Sequence, residues 1–272
     1  MFRRTWGLAK SSMTVIRLDR ELLVLPVLNA VAAVVFGLVL WIVASGLGAD
    51  FSDTSDSGGG GMIALAVLGL LGMNVINTFF KGALVSGAHE RFTGGDPTIG
   101  SSISGAASRL HRLLPWALLA TTVGIVMSII ERQGGQLGRI ARGMFNMAWG
   151  VITFLILPVI MFDDLGPIAG LKRSGQLLRT SWGENLTAQV GFGLLTVLMA
   201  APGVILIAVG ASSGFWPLLI IGVLAVMFAM VVAAALNGIF QTALYLFVTT
   251  GSAPEGFGEQ QLTSSFNEKP YR

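Results

Sequence analysis

The stretch that decides the fold runs from Phe215 to Phe247 and reads FWPLLIIGVLAVMFAMVVAAALNGIFQTALYLF. It contains no acidic residue, no basic residue and no histidine. About 20 apolar residues are enough to cross the ~30 Å hydrocarbon core of a bilayer. The stretch therefore predicts a transmembrane helix, and its extra length predicts that the helix tilts or projects into the cytoplasm.

Five further uncharged apolar runs of about 18 residues or more lie upstream. They are Leu22–Gly46, Met62–Phe80, Leu113–Ile130, Met144–Phe162 and Leu186–Ala208. Glycines, serines and a proline in segment 210–217 predict a turn between the last two runs. The first run and the charged leader before it are too long for a signal peptide, so the run is expected to be retained. The sequence thus predicts an all-α, polytopic transmembrane bundle of six spans.

The composition favours the same class. Hydrophobic residues make up 53% of the 272 residues and charged residues 11%, less than half of the ~25% that is usual in soluble domains. So few charges cannot cover a soluble globule, whereas a lipid-facing surface is apolar. The absence of cysteine and the presence of only two histidines exclude a disulfide framework and a Cys/His metal centre. No cofactor and no nucleic-acid partner is expected.

The distribution of basic residues predicts the orientation. With the N-terminus in the cytoplasm, all but three of the 17 basic residues lie on the inner side, as the positive-inside rule requires. The three exceptions, Arg132, Arg139 and Arg142, share one outer loop. We therefore expect a multi-pass protein of the plasma (inner) membrane with both termini in the cytoplasm. Residues 1–250 would form one transmembrane domain and residues 251–272 a short cytoplasmic tail.

An amphipathic segment precedes each pair of spans. The apolar positions recur at helical spacing in three sets: Phe2, Trp6, Ala9, Met13 and Ile16; Ile99, Ile103, Ala106, Leu110 and Leu113; Ile168, Leu171, Gly175, Leu178 and Trp182. Such helices lie in the membrane interface on the cytoplasmic side, with their basic faces toward anionic headgroups. The candidate headgroup contacts are Arg4, Lys10, Arg17, Arg109, Arg112, Lys172, Arg173 and Arg179. Membrane lipids are therefore the expected partners, and the sequence indicates no particular protein partner. Asp163 and Asp164 are expected to complement the N-terminal dipole of the third such helix.

A short internal similarity joins spans two and six. Segment 77–84, NTFFKGAL, shares Asn, Phe, Ala and Leu in register with segment 237–244, NGIFQTAL. Together with the amphipathic segments, it suggests three repeated units of one surface helix and one hairpin, at 1–95, 96–165 and 166–250.

Polar side chains on the same two spans are candidates for a functional groove. Asn74, Asn77 and Lys81 share a face of span two, and Asn237, Gln241 and Tyr245 follow at i, i+4 and i+8 on span six. Lys81 could attract an anionic headgroup or solute there. The alternatives are interhelical hydrogen bonding by the amides and a Lys81 side chain that extends to the inner headgroups. Three spans pair a polar group with a helix breaker: Asn29 and Pro26 in span one, Asn146 and Pro158 in span four, and Gln189 and Pro202 in span five. Broken helices of this kind can line transport sites, and they are also ordinary in membrane bundles.

The sequence contains no enzyme signature, since neither HExxH nor a phosphate-binding loop occurs in it. Two hypotheses remain open. The first is a non-enzymatic protein that organises or handles lipids, or serves as a subunit of a membrane complex. The second is a small-solute transporter or channel with a polar path between spans two and six.

Several short motifs carry a family resemblance. They are WGLAKS at 6–11, DRELLVLP at 19–26, FLILPVI at 154–160, GPIAGLKRS at 166–174, SWGE at 181–184, PEGF at 254–257 and Ser265-Phe266. With these motifs the chain resembles an uncharacterised family of bacterial six-span membrane proteins. More distantly, the organisation is similar to the membrane domain of some bacterial glycerophosphodiester phosphodiesterases. The resemblance implies a six-helix membrane fold and transfers no activity or catalytic residue.

Overall fold

The computed structural model describes residues 21–46, 59–182, 187–252 and 254, with side chains at the same positions except 59, 60 and 179–195. The first predicted surface helix, with Arg4, Lys10 and Arg17, lies outside the described residues, as does the side chain of Arg179. The regular elements within these ranges are all α-helices. They are α1 (Glu21–Gly46), α2 (Gly59–Phe92), α3 (Ile99–Ser108), α4 (Leu110–Ile152), α5 (Ile156–Phe162), α6 (Pro167–Trp182), α7 (Thr187–Ser213) and α8 (Trp216–Thr250).

Five helical stretches are long and apolar enough to cross a membrane. They are Glu21–Gly46, Gly61–Phe92, Leu110–Phe162, Thr196–Ser213 and Trp216–Thr250. The third is 53 residues long, which at 1.5 Å per residue is far more than a bilayer requires.

The chain reverses direction inside this third stretch, at Gly135. Gly135 has φ +56° and ψ −127° within α4, a conformation that glycine adopts at little steric cost. Arg142 forms an ion pair with Glu131 across the turn. The rings of Trp116 and Trp149 stack with centroids 6.0 Å apart, whereas a straight helix would separate these residues by roughly 50 Å. Helix α4 is therefore a hairpin of two antiparallel arms.

The second arm of this hairpin is interrupted at residues 153–155. Pro158 cannot donate a hydrogen bond and its ring crowds the carbonyl four residues earlier, so a helix through Phe154 is disfavoured. Helix α4 ends at Ile152 and α5 begins at Ile156. The carbonyl oxygen of Ile152, left without its helical partner, accepts a 2.6 Å hydrogen bond from the hydroxyl of Ser174 in α6. Predicted span four is thus two helices, whereas α1 continues through Pro26 and α7 continues through Pro202.

Helices α7 and α8 form a tight hairpin built on glycines. An added Cβ at Gly203 would lie 2.8 Å from the side chain of Val226, and one at Gly222 would lie 2.7 Å from the backbone nitrogen of Ile207. Such small residues let the two backbones approach closely, as is common between membrane helices. Gly214, with φ +67°, forms the turn. Helix α7 runs to Ser213, past the predicted end at Ala208, and in its last turns Gly210 packs against Leu219 of α8.

The buried core lies at one end of the bundle. Leu22, Leu84, Leu113, Ile160 and Leu236 are each at most 2% exposed. Large apolar side chains along the remaining length of the helices are instead exposed: Val34, Leu38, Leu68, Leu118, Leu198, Ile205, Leu224 and Phe228. An exposed apolar surface of this extent is unfavourable in water and is typical of a lipid-facing belt. The five candidate spans and this belt indicate a multi-pass membrane protein.

Helix α2 extends well beyond predicted span two. It has 34 residues, or about 51 Å, and it continues for eleven residues after Lys81. Ala83, Val85 and Ala88 in this extension are buried, because α3 and α8 pack on it. Predicted span two ended at Phe80, before its first charged residue, Lys81. The helical segment after Lys81 is nevertheless surrounded by protein rather than by water.

The two surface helices pack against protein as well as facing outward. In α3, an added Cβ at Gly105 would clash with the hydroxyl of Ser86 in α2, and Ile99 and Ile103 pack against the core. In α6, Gly170 lies over Ile156 of α5. Ile168 of α6 is 64% exposed. The stripe predicted to face lipid is thus largely a protein contact in α3, whereas α6 keeps part of its apolar face free.

Candidate ligand-binding cavity

A cavity of about 630 Å³ lies between α2, α4, α5, α7 and α8. Five of the six polar residues predicted to form a groove line it: Asn74, Asn77, Lys81, Asn237 and Gln241. The spacing of these residues along two helices was therefore sufficient to place them together. The volume is in the range of ordinary small-molecule sites, roughly 300–1,000 Å³.

The amides of α2 hold helices together. Asn74 donates from Nδ2 to the hydroxyl of Thr121 in α4 at 3.0 Å and accepts from Thr78 at 3.5 Å. Asn77 accepts from Nδ2 of Asn29 in α1 at 2.9 Å and donates to the carbonyl oxygen of Met73 at 2.9 Å. The bonds from Asn74 to Thr121 and from Asn29 to Asn77 connect different helices, which is the structural role considered as an alternative for these amides.

The amides of α8 are arranged differently. Gln241 donates from Nε2 to Oδ1 of Asn237 at 3.2 Å. This bond lies within one helix and leaves Nδ2 of Asn237 without a hydrogen-bond acceptor among the described residues. An amide nitrogen with two N–H groups therefore remains available on the α8 wall of the cavity.

Lys81 supplies positive charge to this cavity. Its side chain is exposed and lines the cavity. Within the part of the chain that the structure describes, no carboxylate lies within ion-pair distance of its ammonium group, and none of the cavity-lining residues is acidic. An ammonium group partly removed from water is costly unless an anion or several hydrogen-bond acceptors accompany it. The side of the cavity near Lys81 is therefore suited to an anion.

The other walls of the cavity are apolar. Leu84, Val85, Trp116, Leu157 and Met230 contribute aliphatic and aromatic surface. Trp116 belongs to an aromatic stack. Its ring centroid lies 6.0 Å from that of Trp149, which in turn lies 5.6 Å from the ring centroid of Phe145. The cavity thus has a polar part and an apolar part.

The interrupted helix forms one side of the cavity. Thr153, Phe154, Ile156 and Leu157 line it, on both sides of the break between α4 and α5. Within membranes, non-helical backbone is tolerated where it is buried in protein or lines a cavity. The break predicted from Pro158 therefore coincides with the candidate site.

The segments predicted to be repeats face each other here. An added Cβ at Gly238 would lie 2.5 Å from Cδ2 of Leu84, so α2 and α8 cross in close contact at this point. Asn77 and Asn237, which correspond in the two segments, both line the cavity. Leu84 and Leu244, which also correspond, are both buried. The similar residues therefore occupy similar environments.

Tyr245 does not belong to the groove, contrary to the prediction from its spacing. It is 5% exposed, and its hydroxyl donates a 2.5 Å hydrogen bond to Oδ1 of Asp163. Eight residues of α-helix rotate a side chain by about 80° relative to the first, which directs Tyr245 away from Asn237. Arg173 of α6 contacts the other oxygen of Asp163 at 3.5 Å. Asp163 thus links α8 to α6.

Asp164 lies beside Asp163 in the loop between α5 and α6, and it links this loop to the start of α4. Arg109 contacts its Oδ1 at 2.7 Å and Arg112 at 3.3 Å, with His111 at 3.7 Å. The hydrogen bond from Arg112, supported by the charge of Arg109, lowers the pKa of the Asp164 carboxyl below its usual value. The two aspartates expected to complement a helix dipole therefore form ion pairs.

These ion pairs narrow the set of candidate headgroup contacts. Arg109, Arg112 and Arg173 each have a carboxylate partner, which reduces their availability to lipid. Lys172 is exposed and forms no ion pair within the described ranges.

No group of three or more histidine, aspartate or glutamate side chains suited to a metal ion occurs in the described residues.

The helical fold with its apolar belt defines a multi-pass membrane protein. Residues 59–256 match the family described as "Family of unknown function (DUF6159)", and the chain belongs to this family. No curated protein and no solved structure matches the chain. The more distant likeness to the membrane domain of glycerophosphodiester phosphodiesterases stays a prediction.

Proposed function

We propose that this chain is a non-enzymatic protein of the plasma (inner) membrane that binds and handles a membrane lipid in the cavity between α2 and α8. The observation that carries the proposal is the divided lining of the cavity. Lys81 and Asn237 offer polar donors on one part, and Trp116, Leu157 and Met230 offer apolar surface on the other. A ligand that satisfies both parts must itself be amphipathic.

The proposed topology has six spans. The reversal at Gly135 supports two crossings by Leu110–Phe162, with the hairpin tip on the outer side. Both termini would then lie in the cytoplasm, together with α3, α6 and the ion pairs of Asp163 and Asp164. The helix segments between the charged hairpin tip and the charged residues on the cytoplasmic side would span the hydrocarbon region.

The surface helices support a lipid-handling role. Lys172 is exposed on α6, and Ile168 on the same helix is 64% exposed. A helix with an exposed apolar residue near an unpaired cation is suited to the boundary between acyl chains and anionic headgroups. Helix α6 packs on α5, which lines the cavity. Lipid at the inner surface and lipid in the cavity would therefore contact adjoining helices.

The test is to fill the cavity and measure bound lipid. Ala234 is exposed on the cavity wall, so the change Ala234→Trp should occupy the cavity and displace the lipid. Mass spectrometry of lipid that copurifies with the detergent-solubilised chain should show the loss. The control is Leu224→Trp, a change at a position 59% exposed on the same helix. Equal lipid content in both variants would contradict the proposal.

Small-solute transport is the second candidate function, favoured by the interrupted helix at the cavity. Broken helices at the middle of a membrane line the binding sites of many transporters, and residues 153, 154, 156 and 157 line the cavity here. A transporter would expose the cavity to each side of the membrane in turn. A cysteine introduced as Gln241→Cys would then react with membrane-impermeant maleimide from both sides. Reaction from one side only would favour lipid binding.

A further inference from the structure

We infer that the cavity takes a monoanionic amphiphile whose charged group is bound by Lys81 and Asn237. The inference rests on the proposed function and adds the chemical class of the ligand. It follows from which polar groups in the cavity are already engaged by the protein and which are not.

The polar lining of the cavity has an excess of free donors. Both amide groups on the α2 side, those of Asn74 and Asn77, have their oxygen and nitrogen engaged by other protein groups. On the α8 side, Oδ1 of Asn237 is occupied by Gln241. The ammonium group of Lys81 and the amide nitrogen of Asn237 are therefore donors without acceptors in the described residues. Oε1 of Gln241 is an acceptor that no described donor engages, and the N–H groups of Lys81 and Asn237 outnumber its two lone pairs. Ammonium groups have three N–H bonds and no acceptor, so this set is complementary to an anion.

The number of charges limits the ligand further. Lys81 is the one basic residue among those that line the cavity, and no acidic residue accompanies it. A charge that is partly removed from water is costly unless it is paired. One ammonium neutralises one negative charge, so a phosphodiester or a carboxylate is matched and a dianionic phosphate monoester is not. A net-neutral zwitterionic headgroup would bring a second cation into a cavity without an acidic partner for it.

The position of Lys81 in α2 favours binding over extension to the headgroups. The helix continues to Phe92, and Ala83 and Leu84 immediately after Lys81 are buried. A lysine that extends from a membrane interior to the interface is typically near a helix end. Lys81 instead lines a cavity that holds no acidic residue, where a bound anion would stabilise its charge.

The experiment titrates the purified full-length chain with defined lipids and measures binding by native mass spectrometry. Phosphatidylglycerol carries one negative charge, oleate carries one carboxylate, and phosphatidylcholine is zwitterionic. We expect Lys81→Gln to weaken binding of the preferred monoanion by roughly tenfold to a hundredfold, the usual contribution of a hydrogen bond to a charged group. Lys81→Arg should keep most of the affinity. Arg132→Gln, at an exposed cation of the hairpin tip outside the cavity, should leave it unchanged.

A second variant covers the possibility that loss of Lys81 impairs folding. Asn237→Asp keeps the shape of the side chain and places a carboxylate where the ligand's charge would lie, so it should weaken monoanion binding as well. The phosphatidylglycerol and oleate arms distinguish a phosphodiester from a carboxylate ligand.

Two results would overturn the inference. The first is unchanged monoanion binding in both Lys81→Gln and Asn237→Asp. The second is phosphatidylcholine binding as tight as that of either monoanion. If Ala234→Trp still displaced lipid in those cases, the proposed function would stand without the charge preference.

Discussion

The hydroxyl of Ser174 lies 2.6 Å from the carbonyl oxygen of Ile152 and donates a hydrogen bond to it. Ser174 is fully buried, so water cannot replace this donor. The bond connects α6 on the surface of the bundle to the end of α4, where the helix breaks beside the cavity. The carbonyl released by the break is therefore satisfied by a side chain that arrives from another helix.

Removal of this hydroxyl should destabilise the protein. Ser174→Ala removes the donor to the Ile152 carbonyl, and the loss of such a hydrogen bond costs about 0.5–1.5 kcal/mol. We expect a lower Tm for the purified protein in detergent, measured by scanning fluorescence. The control is Ser104→Ala, at an exposed serine of α3 that makes no side-chain hydrogen bond within the described residues. Equal Tm values for the two variants would show that the bond contributes nothing.

The crossing of α2 and α8 predicts opposite effects for two glycine substitutions. An added Cβ at Gly238 would lie 2.5 Å from Cδ2 and 3.0 Å from Cγ of the buried Leu84, whereas Gly37 has nothing within 4 Å. Glycine to alanine in an open helix stabilises by about 0.5–1 kcal/mol. Gly37→Ala should therefore keep or raise the Tm, while Gly238→Ala should lower it by overpacking, at a cost of about 1–3 kcal/mol. A Tm for Gly238→Ala at or above that of the unchanged protein would show that Leu84 can move aside.

Local patterns in the sequence were sufficient for the helices and for most of the cavity. Charge-free runs located the long helices because a lipid-facing segment must be apolar over its whole length. Helical spacing brought Asn77, Lys81, Asn237 and Gln241 to facing sides of α2 and α8, and the structure places all four on one cavity. Periodicity within one helix places Asn77 beside Lys81 and Asn237 beside Gln241, and the contact between α2 and α8 brings the two pairs together.

Features that depend on contacts between distant segments could not be predicted. Tyr245 was assigned to the groove, although its hydroxyl bonds to Asp163 in another loop. The amphipathic stripe of α3 predicted a lipid contact, but Ile99 and Ile103 pack against the protein core. Periodicity shows that a face is apolar and does not show whether lipid or protein covers it. Asp164 was assigned to its nearest helix because its partners Arg109 and Arg112 lie more than 50 residues away in the sequence.

The ion pairs of Asp164 predict a pH-dependent contribution to stability. Because Arg112 and Arg109 lower the pKa of this carboxyl in the folded protein, the contribution is present above the carboxyl's ordinary pKa. It is lost as the pH falls through the lowered value. Asp164→Asn should reduce the acid sensitivity of the Tm. Asparagine also tolerates the backbone at this position, where φ is +53°.

The matched control for this prediction is Asp96→Asn. Asp96 is exposed and forms no ion pair within the described ranges, so its removal should leave the pH profile unchanged. Tm would be measured in detergent at steps from neutral pH down to about pH 3, around the ordinary carboxyl pKa. Parallel profiles for Asp164→Asn and Asp96→Asn would show that the Asp164 ion pairs do not stabilise the fold.

The reversal at Gly135 predicts which loops are reachable from outside the cell. The chain has no native cysteine, so single substitutions report unambiguously on their own positions. Gln133, Thr93 and Thr250 are all exposed, and they lie at the hairpin tip, after α2 and at the end of α8. In intact cells, membrane-impermeant maleimide should label Gln133→Cys, and it should label Thr93→Cys and Thr250→Cys only after the membrane is disrupted. If Gln133→Cys also required disruption, Leu110–Phe162 would not cross the membrane twice and the six-span topology would be wrong.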